Sequence, residues 1–319
     1  MRLARISAMA LLMITLVSAV ACTSKPTYTH IPTPTSIPTP THTSTSSPMY
    51  TLIPTPTSTS TSTSKPTPHS KAPDIEWQKH YSAGPGMSVQ QTSDGGFIIV
   101  ASPGNGGSDV YLIKTDASGN EQWNKTFGGS SDDQGYSVQQ TSDGGFIVAG
   151  YTRSFGAGGM YVYLIKTDAS GNEMWSKTYG SSGTEMGSSV QQTSDGGFII
   201  SGRTDLVSHD DVYMVKTDSS GNEMWSKTYD DLKYTALSKS DQTSDGGFII
   251  TGFNGYVGLV RTDASGNEMW SGTFGESVEH AQQAEGRSVQ QTSDGGFIIT
   301  GTIWRYNGAV LYLIKVLAE

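Results

Sequence analysis

From residue 74 onward, apolar residues come in short runs separated by turns rich in glycine, serine, asparagine and aspartate. A short segment, SVQQT, leads into Ser-Asp-Gly-Gly, a turn in which glycine supplies positive φ without steric cost. The run after it, GFIIxG, is continuously apolar, as suits a strand buried on both faces. A third run, VYLIKTD, ends at the turn ASGN, and a fourth, ExWSKTYG, carries a tryptophan. Aromatic and β-branched residues fill the runs while glycine, asparagine and aspartate fill the turns, so the pattern predicts four strands per unit.

The unit repeats. SVQQTSDGGFII starts at Ser88 and recurs at Ser137 (with Val148 for the last isoleucine), Ser189 and Ser288, and a degraded copy, KSDQTSDGGFII, starts at Lys239. The aspartates of the DGG turns fall at Asp94, Asp143, Asp195, Asp245 and Asp294, a period of about 50 residues, which marks a propeller or solenoid. The VYLIK block recurs at Val110, Val162, Val212 and Val257, with tryptophans at Trp123, Trp175, Trp225 and Trp270. The last copy stops after its third run, LYLIKVLAE, whereas the domain opens on an isolated tryptophan run, IEWQKHY, around Trp77. A ring that pairs the two ends has complete blades and no broken sheet edge, whereas a solenoid would need capping units. The expected fold is all-β: a five-bladed β-propeller over residues 74–319, of four-stranded antiparallel blades, closed by pairing the N-terminal Trp strand with the C-terminal strand.

The block VYLIKTDASGNEMWSKT resembles the blade motif of quinoprotein-type propellers, which also set a glycine-containing turn before a tryptophan strand. The whole repeat is similar to the SVQQTxDGGxIIxG propellers secreted by bacteria and archaea, over residues 74–319. The resemblance implies the fold and carries no activity. No residue matches a quinone or metal site, so no cofactor is expected.

Residues 1–73 differ in kind. Arg2 and Arg5 precede an apolar core from Ala8 to Val20, too short for a membrane span of roughly 20 residues. The sequence Ala19-Val20-Ala21-Cys22 then places small residues before a cysteine, and the segment resembles a bacterial lipoprotein signal in which Cys22 becomes the lipidated first residue. Cys22 is the only cysteine, so no disulfide forms within the chain, and a diacyl thioether would give stable anchoring. Between Thr23 and Pro73 lie 11 of the 13 prolines, set among Thr and Ser, too little apolar surface to offset chain entropy. This reads as an unpacked stalk with a reach on the order of 150 Å at most. An exported, envelope-anchored, monomeric protein is expected. The net charge of −9 and the lack of a Lys/Arg run argue against a nucleic-acid partner.

In an up-and-down meander the SDGG and ASGN turns share one face of the disc and the other connections share the opposite face. The first pair is almost invariant and the second varies in length and content, so the variable face is where specificity is expected. The variable loops contribute Asp132, Asp133, Glu185, Asp210 and Asp231, the cations Arg153, Arg203 and Arg305, and the aromatics Tyr234, Tyr256, Trp304 and Tyr306. Polar side chains beside exposed rings suit a sugar or peptide. Asp241 stands where other blades have Gln90, Gln139, Gln191 and Gln290, placing a carboxylate on the strand expected to line the channel.

No catalytic set emerges. The Asp-x-Ser-Gly-Asn turns lack the alternating ligands of a calcium loop. His209 has no second histidine or cysteine at zinc spacing. No nucleophile elbow or phosphate loop is present. A binding or scaffold module for a glycan, peptide or envelope protein is therefore expected. The alternative is a glycan-active enzyme using a carboxylate pair drawn from Asp132, Glu185, Asp231 and Asp241, which would have to stand about 5–10 Å apart.

Overall fold

The computed structural model describes residues 75–318 apart from 104–108, 182, 206–210, 234–238, 254–255, 275–280 and 306–307. The expected signal, Cys22 and the expected stalk lie outside the described residues. Blade one comprises β1 (Gly86–Gln91), β2 (Phe97–Ala101), β3 (Val110–Thr115) and β4 (Glu121–Phe127). Blade two has β5 (Asp133–Gln140), β6 (Phe146–Thr152), β7 (Tyr161–Thr167) and β8 (Glu173–Tyr179). Blade three has β9 (Glu185–Gln192), β10 (Phe198–Thr204), β11 (Asp211–Thr217) and β12 (Glu223–Lys233). Blade four has β13 (Ser240–Gln242), β14 (Phe248–Phe253), β15 (Val257–Thr262) and β16 (Glu268–Phe274). Blade five has three strands, β17 (Ala281–Gln291), β18 (Phe297–Arg305) and β19 (Gly308–Val316).

Every strand pair is an antiparallel neighbour in sequence, apart from a single bridge, Lys233↔Phe253, that joins blades three and four. The chain is thus an all-β, five-bladed β-propeller. First strands of adjacent blades touch one another, as β1 and β5 do and as β5 and β9 do, which puts them on the axis side.

The sequence forms these blades because each apolar run is sandwiched. Phe146, Phe198 and Phe248, which follow the DGG turns, are at most 1% exposed. The core is not inside any blade but between blades. One cluster joins Ile98, Val100, Val110 and Leu112 of blade one to Val138, Phe146, Val148 and Ile165 of blade two, and three similar clusters follow. Each tryptophan leans onto the next blade: Trp123 meets Phe146 at 5.8 Å, Trp175 meets Phe198 at 5.9 Å and Trp225 meets Phe248 at 5.7 Å between ring centroids. The ASGN glycine makes room for that ring. A Cβ on Gly171 would stand 2.7 Å from Trp123, and φ there is +77°.

The invariant turns are consumed by their own folding. Asp94 accepts hydrogen bonds from the Thr92 hydroxyl and the Gly96 amide and an ion-paired one, at 2.8 Å, from Lys114 of β3. Lys166 and Lys216 serve Asp143 and Asp195 in the same way, and Arg261 serves Asp245. Each of these cations is buried. The ASGN aspartates cap their own loop: Asp116 accepts from the Ser118 and Asn120 amides at 2.9 and 2.8 Å.

The head-to-tail pairing expected from the sequence is not formed. The Trp77 segment is not a strand here, and β19 has only β18 beside it. The contacts that the segment does make are those with the following blade. Trp77 packs edge-on to Phe97 of blade one at 5.7 Å, Tyr81 donates to the Gly119 carbonyl at 2.6 Å and Lys79 donates to Asn120 at 2.9 Å. The segment therefore sits on blade one as the outer strand of a preceding blade would, without blade five at its side.

The buried cations give a testable ranking. Burial works against ionisation of Asp143, yet hydrogen bonds from Lys166, Thr141 and the Gly145 amide hold its carboxyl at about 2. A depressed carboxylate stabilises the fold fully above its unfolded value of about 3.9, and the contribution is lost as pH falls through the folded value. Asp143→Asn strands a buried ammonium and should cost about 1–3 kcal/mol at pH 7, discounted because the carboxylate is half exposed. The double change D143N/K166M should cost less than D143N alone. Urea unfolding of the three chains checks the order.

Candidate functional site

The β-ladders place the variable connections on the face opposite the SDGG and ASGN turns, and one recurrent irregularity shapes that face. In four blades the first strand carries a β-bulge at the same point, where the register jumps from Gly86 to Ser88, Gly135 to Ser137, Gly187 to Ser189 and Gly286 to Ser288. A bulge leaves one residue outside the ladder and re-aims its side chain. The extra residues are Met87, Tyr136, Ser188 and Arg287, four different chemistries between an unchanging glycine and an unchanging serine. In blade four the equivalent position is Ser238, outside the described residues.

The glycine before the bulge is fixed by packing. A Cβ on Gly187 would come within 2.9 Å of Ile200 and 3.2 Å of Val162 of the preceding blade. Beside the bulges stand companions that also vary. Tyr136 donates to Gln134 at 3.0 Å and lies against Tyr151 at 6.0 Å between centroids. Arg287 pairs with Glu285, its Nε donating at 2.7 Å. In blade three Arg203 Nε reaches the Met186 sulfur at 3.1 Å. These half-buried positions form a varied rim on the axis-side strands. Sequence reading passed over them as loop ends, although the pattern Gly-x-Ser-Val-Gln-Gln, with x alone free, was the available signal.

The sequence-predicted residues divide sharply. Arg153 is exposed at the end of β6 and reaches the Met160 sulfur at 3.3 Å. Tyr256 is exposed just before β15, and Asp132 and Arg203 are half-buried on the same face. Glu185 is a correction: it is 1% exposed, so it displays nothing. It accepts from Thr204 and Ser181 at 3.3 Å each, while Oε2 finds no hydrogen-bond partner. Glu185 opens β9 beneath its own loop, and the loop residues cover it.

Asp241 is a second correction. On the other axis strands the glutamine carboxamide ties one blade to the next: Gln90 accepts from the Gln140 amide and Gln139 from the Gln192 amide, both at 2.6 Å. Asp241 does the same, accepting from the Gln291 amide at 3.2 Å and from Gln191 at 3.4 Å. It is a substituted blade tie and not a free channel carboxylate. Asp210, Tyr234 and Tyr306 lie outside the described residues, as do the side chains of Asp231, Trp304 and Arg305, whose backbones run in β12 and β18.

The structure sets one of the expected loop carboxylates, Asp133, beside Asp109, a residue that the sequence did not single out. Asp133, at 0% exposure, accepts from the Gly129 amide at 2.8 Å, the Ser154 hydroxyl at 2.6 Å and the Arg153 amide at 3.1 Å, and so binds two variable loops together. Across Gly128 lies Asp109. A Cβ on that glycine would stand 2.6 Å from Asp133 Oδ2 and closer still to Asp109 Oδ1, putting the two oxygens within about 5 Å, where like charges raise a pKa. Asp109 Oδ1 is buried without a partner, and burial, then the Asp133 charge, push its carboxyl up. Among the described residues no group of three or more His, Cys, Asp and Glu is placed to hold a metal.

No protein-family model matches the chain, and no curated protein matches it either. Solved structures do. A Dyadobacter fermentans protein of unknown function aligns at TM-score 0.47 and 10% identity, over 72% of this chain and 75% of that one. A putative exo-β-1,3-galactanase from Bifidobacterium bifidum aligns at 0.40 and 14%, over 75% and 89%. YCF48 bound to D1 peptide aligns at 0.44 and 10%, over 78% and 67%. At these scores the likenesses lend no argument about chemistry.

Asp109 supplies a test with a definite sign. Its folded pKa lies above the unfolded value, so its ionisation costs stability as pH rises through that interval and the full penalty applies above it. Asp109→Asn should therefore stabilise the domain at pH 7 by on the order of 1 kcal/mol, with the gain gone near pH 3.5. Thermal melts at the two pH values read the difference.

Proposed function

We propose that this protein is a non-enzymatic binding module, tethered to the cell envelope through Cys22 and raised on its Thr/Ser/Pro stalk. It presents the bulge rim and variable loops to a glycan, a peptide or another envelope protein. One observation carries the reading. The buried acids of the variable face, Asp133 and Glu185, are hydrogen-bonded to their own loops, while the positions left to vary are Tyr136, Ser188, Arg287, Arg153 and Tyr256. Rings beside cations and hydroxyls read apolar faces and polar edges without performing acid–base work.

The second reading is a glycan-active enzyme. In its favour stands the Asp109–Asp133 pair, with a raised carboxyl next to a hydrogen-bonded one, the arrangement from which a general acid is made. Against it stands burial: Asp133 has no exposed surface and the Asp109 oxygen that faces it is also covered, so neither reaches a glycosidic oxygen.

Glycan and peptide arrays probed with the full chain should yield a ligand whose affinity falls tenfold or more, about 1.4 kcal/mol, in Tyr136→Ala or Arg287→Ala. Ser142→Ala, on the turn face, should leave it unchanged. Capture that survives both rim changes assigns the wrong face, and release of free sugar that stops in Asp109→Asn favours the enzyme. Separately, Cys22→Ser should move the protein from the membrane fraction to the soluble one.

A further inference from the structure

The outermost strands carry an irregularity of their own, at the turn end. Opposite Lys114 and Thr115 the register jumps from Trp123 to Glu121, opposite Lys166 and Thr167 from Trp175 to Glu173, and opposite Lys216 and Thr217 from Trp225 to Glu223. The residues left outside the ladder are Gln122, Met174 and Met224, and a bulge re-aims the side chain it frees. Each reaches the buried lysine that holds the DGG aspartate. In blade one Lys114 donates to Asp94, to the Thr115 carbonyl at 2.8 Å and to Gln122 Oε1 at 3.2 Å. Blades two and three keep the carboxylate and the carbonyl but set a sulfur in the remaining place. Lys166 meets Met174 Sδ at 3.9 Å and Lys216 meets Met224 Sδ at 3.8 Å. An ammonium has three hydrogens to place and a thioether is a weak acceptor, so the third hydrogen is well served only in blade one. Both methionines are open to solvent, at 59% and 58% exposure.

We propose that Met174 and Met224 are oxidation sites whose oxidised form the fold is shaped to accept: each becomes a sulfoxide, and its oxygen takes the third hydrogen of Lys166 or Lys216 as Gln122 takes that of Lys114. The geometry follows from bond counting. A sulfoxide oxygen lies as many bonds from Cα as Gln Oε1 does, so blade one already displays the arrangement. The oxidant is a hydroperoxide. A sulfur lone pair attacks one peroxide oxygen, the S–O bond forms as the O–O bond breaks, and the proton of the transferred oxygen passes to the departing hydroxide. Sulfur loses two electrons and the peroxide leaves as water; a thiol-dependent sulfoxide reductase reverses the change. Oxidation of a methionine in a core or an interface disrupts packing. Here the side chain lies on the rim of the disc and the new oxygen finds a buried cation, so the domain takes up oxidant while its fold is strengthened. Met269 is the natural comparison. It holds the same bulge position and is 54% exposed, but it stands beside Arg261, whose guanidinium donates to the Phe248 carbonyl and to Asp245.

The experiment exposes the full chain to hydrogen peroxide and maps added oxygen by peptide mass. Met174 and Met224 should each gain one oxygen, and Met214, at 0% exposure, should gain none. The melting midpoint should rise by about 2 °C or more relative to the change in Met174→Leu/Met224→Leu, where the other methionines oxidise alike. Met174→Gln/Met224→Gln should show the rise without peroxide, and Met269→Gln should not. Oxygen on Met269 with none on Met174 and Met224 would overturn the proposal. So would a midpoint that falls on oxidation of the unaltered chain but not of the leucine chain, or a glutamine pair that melts at or below the parent. If the leucine chain misfolds, the glutamine variants decide.

Discussion

Each blade of this protein is a thin sheet with apolar side chains on both faces, and neither face can be covered from within. That constraint governs the rest. Ile147 and Leu164 look out of one side of blade two, and Val138, Phe146 and Ile165 out of the other, all at 5% exposure or less and all only because neighbours stand there. Burying such side chains gives roughly 1.5–3 kcal/mol apiece, so a blade junction with eight or more of them far outweighs any polar contact in the domain. Stability is then a sum of nearest-neighbour terms. The Trp–Gly–Phe contact is the part of that junction with the least tolerance, since the ring occupies the space a Cβ would take.

The same constraint separates the two ends of the disc. On the turn face nearly every polar group has a partner inside the repeat: the DGG aspartate takes a threonine hydroxyl, an amide and a buried cation, and the ASGN aspartate closes its own loop. A residue with three structural partners cannot change, which is why these turns recur unaltered. Arg261 in blade four shows the limit of what is allowed, because a different cation reaches the same aspartate. Among the described residues the opposite face shares only a buried acid at the start of the first strand in blades two and three. Its loops are joined one by one, by Asp133 in blade two and by Glu185 in blade three, so each connection can take its own length.

Much of this was legible in the sequence because it is periodic. The strands, the turns and the five-blade count follow from repeated spacing, and the tryptophans fall where the repeat puts them. Legibility ends where a property depends on a neighbour rather than on the repeat. Glu185 and Asp132 look alike as loop acids, yet one opens a ladder and is sealed beneath its loop while the other is half open. Asp241 reads as a departure from glutamine, but an oxygen acceptor is all that the blade tie requires, and aspartate supplies one. Asp109 and Asp133 are 24 positions apart in the numbering and meet only because Gly128 lets both approach. The ladder pairing of β3 with β2 and β4 is periodic and visible, whereas β19, with β18 alone beside it, departs from the repeat.

The bulges explain how a domain so constrained retains room for recognition. Within a ladder, a changed side chain alters cross-strand pairing and the inter-blade core together. The bulged residue belongs to neither: in blades two, three and five its preceding glycine is pinned against the preceding blade and its following serine rejoins the register, so the position between them is mechanically insulated. Methionine, tyrosine, serine and arginine occupy it in different blades while the flanking residues stay the same. Repetition multiplies that freedom around the axis, giving one independently variable side chain at each described bulge. Had these positions carried part of the fold, the repeat would have held them as fixed as the turns on the other face.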